Sequence, residues 1–138
     1  MAGRLMALDY GKKRTGIAVT DELQLIASGL TTVETHRLFL FLKTYVATEK
    51  VCGFVVGEPK QMNNTPSESE ALIRPFLKKL NTTFPDIPIA RQDERFTSKM
   101  AVQAMVQGGV KKQKRKNKAL VDEISATLIL QAYLNRFQ

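Results

Sequence analysis

Apolar and polar positions divide this chain into short runs of two different periods. Residues 4–10 and 15–20 are two apolar runs joined by a glycine-bracketed basic turn, Gly11-Lys12-Lys13-Arg14, and the pattern predicts a pair of strands. Residues 27–33 predict a third strand, completing an antiparallel meander. Over 35–49 the spacing changes to three and four, with Leu38, Phe39, Leu42, Tyr45 and Val46 recurring as on one side of a helix. Val51–Gly57 is nearly continuously apolar, as expected of a central strand covered on both faces. A second helix opens at Thr65 as N-cap, with Pro66 in the first helical position and Glu68 completing a capping box. Pro75 inside it removes a backbone bond and predicts a kink. A short strand is expected at 88–92 and a helix at 98–107, stopped by Gly108-Gly109. The last helix, 118–136, is apolar on most sides and so is expected to be largely buried.

The resulting order, β-β-β-α-β-α-β-α-α, predicts an α/β protein with a mixed five-stranded sheet and helices on both faces. Right-handed crossovers put strand one at the centre and give the sheet order 3-2-1-4-5. With 138 residues, no internal repeat and no linker-like stretch, residues 1–138 are expected to form a single domain. Composition adds two facts. The net charge is +8, which favours a polyanionic partner such as nucleic acid without identifying it. Cys52 is the only cysteine, so no internal disulfide can form; with no signal-like or membrane-spanning run, a cytoplasmic protein is expected. Cys52 itself reads as an inert buried thiol.

Candidate chemistry lies in the carboxylates. Asp9 ends the first apolar strand, Asp93-Glu94 follow the fifth, and Asp122 interrupts the apolar run of the last helix, where an unpaired charge is costly. Ligands in open α/β sheets bind outside the carboxyl ends of the strands, where Asp9 and Glu94 fall. Carboxylates gathered at one point can hold divalent ions, which clamp the attacking and leaving oxygens of a phosphodiester. Such a cluster is strained or partly protonated without a cation. Asp93 and Glu94 point to opposite faces if the strand continues; Glu94 is the choice for the site, with Asp93 pairing an arginine or capping the next helix. Glu123 is expected to face solvent.

Asp9-Tyr10-Gly11-Lys12-Lys13-Arg14-Thr15-Gly16, with Asp21 after it, resembles the opening motif of the YqgF/RuvX family. Val56-Gly57-Glu58-Pro59 is similar to that family's fourth-strand end, Asp93-Glu94-Arg95-Phe96-Thr97-Ser98 to its central motif, and Ala119-Leu120-Val121-Asp122 to its final-helix motif. Members are RNase H-like proteins described both as Holliday-junction-resolvase-like and as pre-16S ribosomal RNA nucleases. The resemblance implies an RNase H-like fold and a site of Asp9, Glu94 and Asp122 binding Mg²⁺ or Mn²⁺. Glu58 stands where the family more often has an apolar residue, and is either an added ligand or a surface residue. A geometric demand follows: strand five lies two spacings, roughly 10 Å, from strand one, so the two side chains must converge across strand four.

Lys12, Lys13, Arg14 and Arg95 flank these carboxylates and are candidates for holding phosphates; Arg14 and Arg95 could equally neutralise the acidic cluster. The run Lys111, Lys112, Lys114, Arg115, Lys116 and Lys118 puts six cations in eight residues, a candidate arm for a nucleic-acid backbone. Tyr10 could stack on a base or simply pack in the core; His36 reads as structural. The expectation is a metal-dependent endonuclease acting on structured RNA, a small-subunit rRNA precursor or the particle containing it. The RNA assignment comes from the resemblance. The alternatives are cleavage of four-way DNA junctions, which predicts a homodimer where the first reading allows a monomer, and a non-catalytic RNA-binding ribosome-assembly factor.

Overall fold

The computed structural model describes residues 3–60, 68–94, 100, 101, 103, 106–108 and 117–137. Its sheet holds five strands in the order β3-β2-β1-β4-β5, as the crossover argument required. The strands are β1 Arg4–Tyr10, β2 Arg14–Thr20, β3 Ala27–Glu34, β4 Val51–Glu58 and β5 Ile89–Asp93. β1, β2 and β3 form the antiparallel meander, while β4 and β5 add in parallel. Tight hydrogen bonding shapes the β2–β3 turn. Asp21 accepts the backbone N–H groups of Leu23, Leu25 and Ile26 at 3.1, 2.9 and 2.8 Å, and Gln24 adopts a positive φ of 59°. These bonds, chiefly that from Ile26, hold the Asp21 carboxyl below its ordinary acidity range.

Helices α1 Leu38–Thr48, α2 Glu70–Thr83 and α3 Lys118–Asn135 lie on the two faces. On one face Leu38 and Leu42 of α1 and Ile73, Phe76 and Leu80 of α2 pack against Met6, Leu8, Ile17, Phe54 and Val56. On the other, Ala126, Ile129 and Leu130 of α3 cover Ala7, Ala18 and Val55. Alanines on the strands are what a helix seated close to a sheet needs. Two close approaches make this explicit. A methyl on Gly16 would strike the backbone of Asp122, and one on Gly29 would strike the side chain of Glu123.

Several boundaries differ from the sequence reading. The helix expected over 35–49 begins as a 3₁₀ turn, Thr35–Arg37, with the Thr35 hydroxyl tied back to the Gly11 carbonyl at 2.6 Å. Regular helix in α2 starts at Glu70, because residues 68 and 69 form a turn; Thr65 and Pro66 lie outside the described residues. Helical positions at 100, 101, 103, 106 and 107 fall where the 98–107 helix was expected. α3 is largely covered, as expected: every residue from 119 to 134 is at least half-buried, with Ser125, Ala126, Ile129, Leu130 and Leu134 fully so. Glu123 is half-buried against Gly29 instead of facing solvent. Cys52 is a half-buried free thiol.

Candidate active site

Strand alternation decides which side chains can meet. Asp9 follows Ala7 on the α3 face of β1, and Gly57 follows Val55 on the same face of β4. Glu94 is the first residue beyond β5, where its N–H bonds to the Glu58 carbonyl at 3.2 Å. Its side chain crosses β4 at Gly57, so that a methyl there would collide with the Glu94 carboxyl and with Ile129. The absent side chain is how the two-strand gap is bridged. Asp9 and Glu94 hydrogen-bond to each other through their carboxyl groups.

Burial acts on both acids. It is the largest cause of the Asp9 rise to about 6; the Asp122 charge adds to it and the bond from Glu94 opposes it. Glu94 rises further, to about 9, by burial, by the Asp9 charge and by the bond they share, with Arg91 opposing. Both acids are thus pushed towards the protonated form, and the pair shares a proton near neutral pH. Two like charges this close do not both ionise readily.

Asp122 approaches from the first turns of α3, seated on Gly16. Asn117 caps that helix, its side chain accepting the N–H groups of Ala119 and Leu120 at 3.0 and 3.3 Å. Close enough to raise Asp9, the Asp122 carboxylate itself accepts from Arg14 Nε at 2.9 Å. Among the described residues, no three Asp, Glu, His or Cys side chains converge tightly enough to form a metal cage. Asp9 and Glu94 are nonetheless hard oxygen donors of the kind Mg²⁺ and Mn²⁺ take, and a half-buried pair that shares a proton fits neutralisation by a divalent cation.

The other candidates distribute as follows. Glu58 alternates to the opposite face from Asp9 and pairs with Lys60 at 3.4 Å. Asp93, opposite Glu58 in the register, shares that face. Lys12 and Lys13 are exposed in the β1–β2 turn. Arg95, Lys111, Lys112, Lys114, Arg115 and Lys116 lie outside the described residues.

Sequence reasoning missed a supporting ion pair. On the other face of β5, Arg91 donates to both carboxylate oxygens of buried Glu70 at 3.1 and 2.7 Å. It also donates to the Val56 and Gly57 carbonyls at 3.2 and 2.9 Å, tying α2 to the strand end that carries the gap. A lone arginine in a five-residue strand was the available signal.

An α/β protein with this strand order, and acidic side chains gathered at the carboxyl end of the central strand, is RNase H-like. The chain belongs to the RuvX family: the family model described as "Holliday junction resolvase" matches residues 3–136. Similar proteins include one from Christiangramia forsetii, 63% identical over 95% of this chain and 97% of its own length. Others are from Phocaeicola vulgatus (61%, covering 95% and 94%) and Flavobacterium johnsoniae (58%, covering 96% and 96%). All three bear the name "Putative pre-16S rRNA nuclease".

Proposed function

We propose that this chain is a metal-dependent endonuclease that matures the 16S rRNA precursor in the cytoplasm, acting as one domain over residues 1–138. The observation that carries the reading is the half-buried Asp9–Glu94 pair at the strand ends, where two acids are held in contact. Asp9 and Glu94, with Asp122 beside them, hold Mg²⁺ or Mn²⁺; Glu58, turned to the other face, is left out. Bound there, such ions supply stabilisation of the attacking and leaving oxygens of a phosphodiester. Arg14 balances Asp122 and stands ready to take a substrate phosphate. Lys12 and Lys13 attract the backbone, a role the sequence also assigns to Arg95 and to the run Lys111–Lys116. The names of relatives about 60% identical favour ribosomal RNA as the substrate.

The test is cleavage of a precursor small-subunit RNA and of a four-way DNA junction, with Mg²⁺, Mn²⁺ or EDTA, using wild type and Asp9→Asn. Metal-dependent cutting of the RNA, lost in Asp9→Asn, is the expected result. The description of the matching family model favours a second reading, junction resolution. It predicts cutting of the DNA by a homodimer. Cutting of neither, with salt-sensitive RNA binding kept in both proteins, identifies an assembly factor instead.

A further inference from the structure

The end of β1 has two faces, and the Asp9–Glu94 pair uses only one. Tyr10, next to Asp9, turns to the other. There it stacks on Phe76 of α2 with ring centroids 4.2 Å apart and planes 16° from parallel, and Phe39 of α1 meets Phe76 edge-on at 5.6 Å. Tyr10 and Phe39, with Phe76 only 5% exposed behind them, wall a cleft of about 420 Å³, within the size range of small-ligand sites. Its rim is cationic. Lys12 enters from the β1–β2 turn and Lys79 from α2, both exposed, with the Lys79 ammonium 4.4 Å from the Phe39 ring centre. His36 completes the rim, its side chain 69% exposed and its ring 3.4 Å from the Glu34 carboxylate.

An aromatic wall under a cationic rim suits one chemistry better than others. A purely apolar ligand gains nothing from two lysines, and a bare phosphate gains nothing from three rings. A nucleotide uses both, stacking its base and pairing its phosphate. Position strengthens the argument. Asp9 and Tyr10 are consecutive, with α-carbons about 3.8 Å apart, so a strand passing over the sheet end can leave the carboxylates and enter the cleft within a short span.

We propose that this cleft holds an unpaired nucleotide of the substrate strand beside the cut. The base lies against Tyr10 and Phe39, which Phe76 backs from the core, and its phosphate between Lys12 and Lys79. The proposal rests on the nuclease reading and gives it a substrate rule: the chain acts where paired nucleic acid gives way to a strand that can release a base. A base held in a duplex cannot enter.

The test reads binding with cleavage blocked. His36 is the sole histidine, so its ring protons form an isolated reporter in the proton NMR spectrum. Asp9→Asn protein in EDTA is titrated with a short unpaired RNA, and separately with the same RNA annealed to its complement. The single strand is expected to shift the His36 signals saturably and the duplex to leave them nearly unmoved. Phe39→Leu, which keeps apolar bulk for folding, should weaken single-strand binding by about 5- to 100-fold. Lys79→Gln should weaken it less and flatten its salt dependence. Unmoved His36 signals, equal shifts with the duplex, or parental affinity in both variants would overturn the proposal. The nuclease reading fails separately, by wild type cutting no substrate in Mg²⁺ or Mn²⁺.

Discussion

Replacing Arg91 with methionine removes the cation that ties α2 to the ends of β4 and β5. Glu70 is only 6% exposed and would keep a carboxylate with neither of its two guanidinium bonds. Two strand carbonyls, of Val56 and Gly57, lose donors as well. Stripping one partner from a buried ion pair costs about 3–5 kcal/mol. The Arg91 side chain is 23% exposed, so water screens part of the attraction and about 2–4 kcal/mol is the better expectation. For a chain of this size that lowers the melting temperature by about 10 °C. The double variant Arg91→Met with Glu70→Leu removes the stranded charge and should recover most of the loss, since apolar replacement of a whole buried pair is often neutral. Urea and thermal unfolding followed by circular dichroism, over all four corners of the cycle, measure this directly. A loss below about 0.5 kcal/mol in Arg91→Met, or a double variant as weak as the sum of the singles, would refute the reasoning.

Three further outcomes follow from the acidic pair. Gly57→Ala should push the Glu94 carboxyl away from Asp9, costing about 1–3 kcal/mol in a thermal melt by overpacking and reducing cleavage far more than the stability loss explains. Asp9→Asn, while abolishing cleavage, should raise the stability of the metal-free protein at pH 8 by about 1–3 kcal/mol, because it removes a carboxylate charge that desolvation and the Asp122 charge disfavour in the folded chain; a lower melting temperature would contradict this. Both acids titrate higher in the folded chain than unfolded, Asp9 near 6 against 3.8 and Glu94 near 9 against 4.5. Their protons are therefore held more tightly by the native state, a stabilisation complete below pH 4 and lost as pH rises through 6 and 9. Urea midpoints of metal-free protein should fall across that window, and Glu94→Gln should flatten the fall.

Much of this was legible because the relevant forces are local or periodic. Asp9 stands out at the end of an apolar strand, and Right-handed crossover rules turn the element order into the observed strand order. Even the prospect of a shared proton follows from gathering carboxylates in one place. What escaped depends on tertiary geometry. The roles of Gly57 and Gly16 are defined by what passes over them, and a glycine in an apolar strand looks the same whether its gap is used or not. Glu70 sits 21 positions from Arg91, and no spacing rule joins a helix start to a strand that distant. The Arg14–Asp122 ion pair, by contrast, is one of the two roles the sequence offered for Arg14, neutralising the acidic cluster.

The seating of α3 on Gly16 has a consequence in time. Arg14 and Asp122 are separated by 108 positions, and Asp9 has its acidic neighbours only after β5 and the final helix have docked. During synthesis, the hairpin that carries Asp9 leaves the ribosome long before residue 122 exists. The early chain is a basic hairpin in which Asp9 still lacks both Glu94 and Asp122. If the proposed site is the cutting centre, a chain interrupted before the last helix, or one from which that helix is clipped, should bind RNA without cleaving it.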